Sequence, residues 1–184
     1  REPSEQGCVE AGEAGYSALL ARHPVTKPRI VIIGHSLGGG VAVELARREE
    51  ATHNPPQALA LVSTFTSIAD EGHAQYPIYP AWMMNLAART KFNSIAAIAQ
   101  VHCPIFIAHS RHDELIPYAM SSQMANAAGG AVTRLSFDHV QHGDEFSVGG
   151  PQVLPPLRAW IDRVAALPGA FHPLPGASHP LPAR

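Results

Sequence analysis

The fold is decided by the stretch Arg29-Ile30-Val31-Ile32-Ile33-Gly34-His35-Ser36-Leu37-Gly38-Gly39-Gly40. Its continuous β-branched run, bounded by Pro28 and Gly34, predicts a strand buried on both faces, as in a parallel sheet. Residues 38–50 then carry Val41, Ala42, Leu45 and Ala46 at helical spacing and close on Arg47-Arg48. Strand, sharp turn and helix thus enclose Gly34-His35-Ser36-Leu37-Gly38, which fits the pattern G-x-S-x-G. Such a turn holds its serine at strained backbone angles with the hydroxyl exposed above the sheet. Glycines at 34 and 38 are expected to remove side chains that would clash with strand and helix. The run Gly38-Gly39-Gly40 lets the helix start approach closely, aiming backbone N–H groups and the helix dipole at a developing oxyanion. No Gly-Lys-Ser/Thr follows, which argues against a phosphate-binding loop.

Working outward, apolar strands are predicted at 57–63, 104–109 and 131–137, and helices at 9–22, 117–128 and 153–167. The first helix is weakened by Gly12 and Gly15. Strands alternating with helices make an α/β protein with a mostly parallel sheet of about four strands. A Pro- and aromatic-rich excursion occupies roughly 72–100. Residues 1–167 are read as one domain, with that excursion as a lid-like insertion. Residues 168–184 are different in kind: Pro168-Gly169-Ala170-Phe171-His172-Pro173-Leu174-Pro175 returns seven residues later as Pro175-Gly176-Ala177-Ser178-His179-Pro180-Leu181-Pro182. Its prolines forbid a helix, so an extended tail is expected there.

Composition narrows the classes. Among 184 residues, 46% are hydrophobic and 15% charged, enough to fill a core. A formal net charge of −2 leaves no electrostatic footprint for nucleic acid. No apolar run approaches the roughly eighteen residues of a transmembrane helix. Two cysteines, Cys8 and Cys103, support neither a disulfide framework nor a cysteine zinc site, and favour a cytoplasmic setting. No cofactor is implied. The chain opens on Arg1, without the basic start and apolar stretch of a secretory signal.

A serine nucleophile needs a base, and the base an orienting carboxylate. After the third strand comes His109-Ser110-Arg111-His112-Asp113-Glu114-Leu115-Ile116-Pro117; after the fourth, Asp138-His139-Val140-Gln141-His142-Gly143-Asp144. Both lie past strand C-terminal ends, where open α/β sheets collect their reactive groups. Asp113 is preferred to Glu114 because the turn into Ile116-Pro117 places it. His142 is preferred to His139 because it lies farther from the strand, beside Gly143. His109 and His112 invite a metal reading, but the His-x-x-His spacing on a loop argues against one, and no metal is assigned.

Together these residues resemble the α/β-hydrolase superfamily of serine hydrolases. The middle of the chain narrows the likeness: Leu61-Val62-Ser63-Thr64-Phe65-Thr66-Ser67-Ile68, Tyr76-Pro77-Ile78-Tyr79-Pro80, Lys91-Phe92-Asn93-Ser94-Ile95 and Cys103-Pro104-Ile105 are similar to the bud-emergence-type hydrolases, a group with depalmitoylating thioesterases and lysophospholipases. The resemblance implies Ser36 as nucleophile, Asp113 as acid, His142 as base and the Leu37 N–H as one oxyanion donor. Two positions depart from the pattern. Gln141 stands where a glycine usually precedes the catalytic histidine, and is expected to narrow the approach to it; Ser110 stands where a glycine usually follows the acid-loop histidine. The family fold also implies about four strands before Arg29, one followed by the loop that gives the second oxyanion donor. The chain is therefore expected to be the C-terminal part of a hydrolase domain, its Ile30–Ile33 edge lacking a neighbour and prone to self-association, with membrane association through an N-terminus left open.

Tyr76, Ile78, Tyr79, Trp82, Met83 and Met84 suit either a lid over an acyl chain or ordinary core packing. The expected function is hydrolysis of a small-molecule carboxylic ester or thioester through an acyl-enzyme on Ser36. Two alternatives stand: a catalytically impaired, partner-dependent remnant, and a serine peptidase of the same fold.

Overall fold

The computed structural model describes residues 4–22, 30–87 and 90–166. Helix α1 (Glu5–Ala21) comes first, its start capped by Ser4, whose hydroxyl accepts from the Gly7 N–H. Then follow β1 (Val31–His35), α2 (Leu37–Ala51), β2 (Ala58–Val62), α3 (Ile68–Gln75), α4 (Ala81–Ala87), α5 (Ser94–Ile98), β3 (Ile105–Ser110), α6 (Ala119–Ala127), β4 (Val132–Phe137) and α7 (Gly150–Ala166). The four strands form one sheet in the order β1-β2-β3-β4, every neighbour parallel. The repeat of residues 168–184 lies outside the described residues.

The central strands read as continuous apolar runs because both faces are covered, and the period of two divides their side chains. Leu59, Leu61, Ile105 and Ile107 face Ala42, Val43 and Ala46 of α2, Ile98 of α5 and Met124 of α6. Ala58, Ala60, Val62, Phe106 and Ala108 face Val153, Leu157, Trp160 and Val164 of α7. The molecule is thus helix, sheet, helix in three layers.

Three expectations change. β1 is not buried on both faces: Ile33 is 50% exposed, and among the described residues the strand has one neighbour, the edge position expected for it in a C-terminal part of the domain. Gly12 does not simply weaken α1. A Cβ there would lie 3.2 Å from Leu45 Cδ2, so its bareness lets α1 sit on α2. Helix α7 begins three residues earlier than expected and contains Pro155 and Pro156. Their missing N–H groups fall opposite the carbonyls of Pro151 and Gln152, two exposed residues in the first turn.

Candidate active site

Ser36 lies between β1 and α2 at φ 52°, ψ −124°, a region that costs a non-glycine residue strain and is kept only where surroundings enforce it. The enforcement is visible. The Ser36 N–H donates to the Val62 carbonyl at 3.0 Å, and the Ser36 carbonyl accepts from the Gly39 N–H at 2.9 Å and the Thr64 hydroxyl at 2.9 Å. A Cβ on Gly34 would lie 2.6 Å from that of Ala42, so this glycine is needed as expected. Gly38 is not: a Cβ there meets nothing within 4 Å. The close approach belongs to Gly39 instead, where an added Cβ would lie 2.5 Å from Thr64 Cβ. Leu37 is the first residue of α2, so its N–H has no carbonyl one turn back within the helix.

The three residues singled out for the chemistry meet. His142 Nε2 is 2.8 Å from Ser36 Oγ, and His142 Nδ1 is 2.9 Å from Asp113 Oδ2. A carboxylate can only accept, so Nδ1 carries the proton and Nε2 is left to accept from the serine hydroxyl. The Asp113 side chain is fully buried. Its Oδ1 accepts from the N–H groups of Leu115 and Ile116 at 3.0 and 2.8 Å, the turn foreseen from Ile116-Pro117. Burial pushes the Asp113 carboxyl up, but the hydrogen bonds from His109, His142 and the Ile116 N–H outweigh it and hold it well below the ordinary carboxylate range.

The other candidates take different places. Glu114 accepts from the backbone N–H of His142 at 2.9 Å, steadying the loop rather than the ring. His139 stacks on His112 at 4.9 Å between centroids. His109 is buried, its Nε2 donating to the Ile116 carbonyl at 3.0 Å and lying 3.2 Å from Asp113 Oδ2, while His112 is exposed beside Asp138. His109 and His112 therefore have separate partners. Gln141 is exposed, while Gly143, the residue after His142, takes φ 93°, which glycine adopts without strain. Ser110 is fully buried and its hydroxyl donates to the Val140 carbonyl.

Sequence reasoning missed His35 and Glu145. His35 occupies the variable position before Ser36, and Glu145 follows His142 by three; neither spacing carries a signal of its own. His35 Nε2 donates to Glu145 Oε2 at 3.0 Å, and its ring stacks on His142 at 5.5 Å. Asp113, His142 and Glu145 offer metal-ligand atoms within 4.8 Å of one another. Both Asp113 oxygens and His142 Nδ1 are already engaged with protein partners, which leaves Glu145 Oε1 alone in this set without a well-aligned hydrogen bond, and one oxygen does not make a cation site.

The excursion divides: α3, α4 and the turn between them carry its exposed apolar side chains, while Phe92, Ala97 and Ile98 near its end are buried in the core. Tyr76, Ile78, Trp82 and Leu86 are exposed, while Met84 packs over Gly72. It reaches the site: the Gln75 amide donates to the Leu115 carbonyl in the acid loop, and His142 acts electrostatically on Glu71. Among the described residues, no helix is long and apolar enough to cross a membrane.

A strained serine between a parallel strand and a helix, with histidine and aspartate from later strand ends, defines an α/β-hydrolase site. The family profile for "Prolyl oligopeptidase family" matches residues 4–163, and the chain belongs to that family of α/β-hydrolase serine hydrolases. An uncharacterised Mycobacterium tuberculosis protein is 33% identical over 165 residues, covering 90% of this chain and 56% of that protein. The lysophosphatidylserine lipase ABHD12 of Xenopus tropicalis is 33% identical over 139 residues, covering 70% and 36%. The esterase domain of a Rhodothermus marinus protein superposes with a TM-score of 0.62 at 18% identity, covering 84% of this chain and 68% of that one, and shares the fold. The chain spans about half the length of the curated relatives it matches.

Proposed function

We propose that the protein hydrolyses a carboxylic ester or thioester through an acyl-enzyme on Ser36. The observation that carries this reading is the continuous hydrogen-bonded line Ser36 Oγ, His142 Nε2, His142 Nδ1, Asp113 Oδ2, with steps of 2.8 and 2.9 Å at its two ends. His142 takes the Ser36 proton as Oγ attacks the acyl carbonyl carbon, and Asp113 holds the ring in the required tautomer. The oxyanion receives the Leu37 N–H and the positive end of α2. His142 then returns the proton to the departing alcohol or thiol, and a water repeats the sequence to free the acid and Ser36.

The exposed side chains of Tyr76, Ile78, Trp82 and Leu86 support an apolar acyl group as the part bound beside this site, with α3 and α4 as a lid. The relative named as a lysophosphatidylserine lipase supports the same choice. The family's name supports a second reading, a peptidase using the same three residues. A fluorophosphonate probe tests the common core: wild type is labelled and Ser36→Ala is not. Labelling that persists at another serine overturns the assignment. Turnover of p-nitrophenyl butyrate without turnover of acyl-peptide anilides selects the esterase reading, and the reverse selects the peptidase.

A further inference from the structure

The loop that presents His142 brings a second carboxylate with it. Glu145 is fully buried, and its Oε2 accepts from the Gly143 N–H at 2.8 Å and from His35 Nε2 at 3.0 Å. Its other oxygen, Oε1, makes no well-aligned hydrogen bond, although the buried Ser63 hydroxyl acts on this carboxylate, and it lies 3.8 Å from His142 Nδ1. That is the same nitrogen that donates to Asp113. A buried carboxylate is costly unless donors and opposite charge offset its lost hydration, and the imidazolium formed on His142 during acyl transfer supplies such a charge on the Oε1 side. The charged or titratable groups around His142 are Asp113, Glu145, the stacked His35, Glu114 at its backbone N–H and, at longer range, Glu71.

We propose that Glu145 is a positioning residue for His142, a second buried carboxylate that fixes the His142 loop through Gly143 and shares with Asp113 the stabilisation of the charged ring. The proposal rests on the Ser36, His142 and Asp113 reading above. Oδ2 of Asp113 accepts the hydrogen bond from Nδ1–H at rest, and Oε1 of Glu145 lies 3.8 Å from the same nitrogen. His35 anchors the far oxygen of Glu145, which explains why a histidine precedes the serine here and stacks on the base. The two carboxylates therefore act on one atom, and loss of either leaves the other in contact with it.

That arrangement has a signature that a merely structural glutamate lacks. Removal of Glu145 should matter far more once Asp113 is gone. Four proteins are compared by fluorophosphonate labelling rate, with folding followed by circular dichroism: wild type, Glu145→Gln, Asp113→Ala and the double variant. Glu145→Gln alone is expected to slow labelling by about 3–10-fold, and in the Asp113→Ala background by at least about tenfold more than that, because groups sharing one partner couple instead of adding. Equal factors in the two backgrounds, or no effect in either, overturn the proposal. Should Glu145→Gln fail to fold, Glu145→Asp makes the same comparison, since it draws the carboxylate back by one methylene while keeping its charge. Ser36→Ala runs alongside. If it still labels, the underlying hydrolase reading fails; if its labelling is lost while the cycle is additive, only the role of Glu145 fails.

Discussion

The Ser110 hydroxyl donates to the Val140 carbonyl, tying the loop that carries Asp113 to the loop that carries His142. Ser110 also accepts from the His112 N–H at 3.1 Å, so one buried side chain joins both loops where a glycine makes no side-chain bond. Ser110→Ala leaves the buried Val140 carbonyl without this donor and is expected to cost about 1–3 kcal/mol. We expect kcat to fall more than KM rises, because the spacing of acid and base loosens. Steady-state kinetics and urea unfolding check both; an unchanged kcat would show that the two loops keep their register without the bond.

Gly39 and Gly38 separate the sequence motif from the steric need. Gly39→Ala forces a Cβ into Thr64 and should destabilise by about 1–3 kcal/mol, as overpacked core positions do. Gly38→Ala meets open space in the first turn of α2 and should leave the melting temperature unchanged or raise it, as Gly→Ala does at compatible sites. Thermal unfolding of the two variants decides, and a larger loss at Gly38 would contradict the packing.

The roles of the two histidines in the last loop are separable. His142→Ala and Asp113→Asn should each lower kcat by about 10³–10⁴ or more, having removed the proton acceptor or the correct tautomer. His139→Ala, which removes only a stacked, surface ring, should change little. The opposite ranking in esterase assays would move the base to His139.

Asp113 also sets a pH dependence of stability. Its carboxyl is held below the ordinary range in the folded protein, so its contribution is present above the unfolded value of about 3.9 and is lost as pH falls through the folded one. The stability gap between wild type and Asp113→Asn should therefore be full at about pH 7 and shrink below about pH 4. Urea unfolding at several pH values measures it. A gap constant down to about pH 3 would mean that Asp113 gains nothing from its charge.

The exposed edge of the sheet predicts association. Among the described residues β1 pairs with β2 only, and Ile33 is 50% exposed. Residues 1–184 alone should elute larger than a monomer, and Ile33→Lys should shift them toward monomer, since a charge on an edge strand blocks pairing. A monomer before the substitution would show the edge already covered.

The sequence alone determined the layers and the short-range geometry. Continuous apolar runs at β2 and β3, short and bounded by Pro or Ser, read as strands covered on both faces, and the turn between β1 and α2 is written in its glycines and serine. Asp113 and His142 were legible because chain order and strand ends limit where such groups stand. The parts it did not determine are those that depend on distant residues meeting. How far a strand's faces are covered depends on which elements pack on them, so β1, although placed at an edge, read as more buried than it is. Which glycine is indispensable depends on what lies opposite, and Thr64 faces Gly39, not Gly38. The pairing of His35 with Glu145 spans 110 residues and follows from the parallel sheet setting β1 and the loop after β4 toward the same rim. No local pattern encodes a contact of that kind, because its energy comes from burial and charge that exist only once the chain is folded.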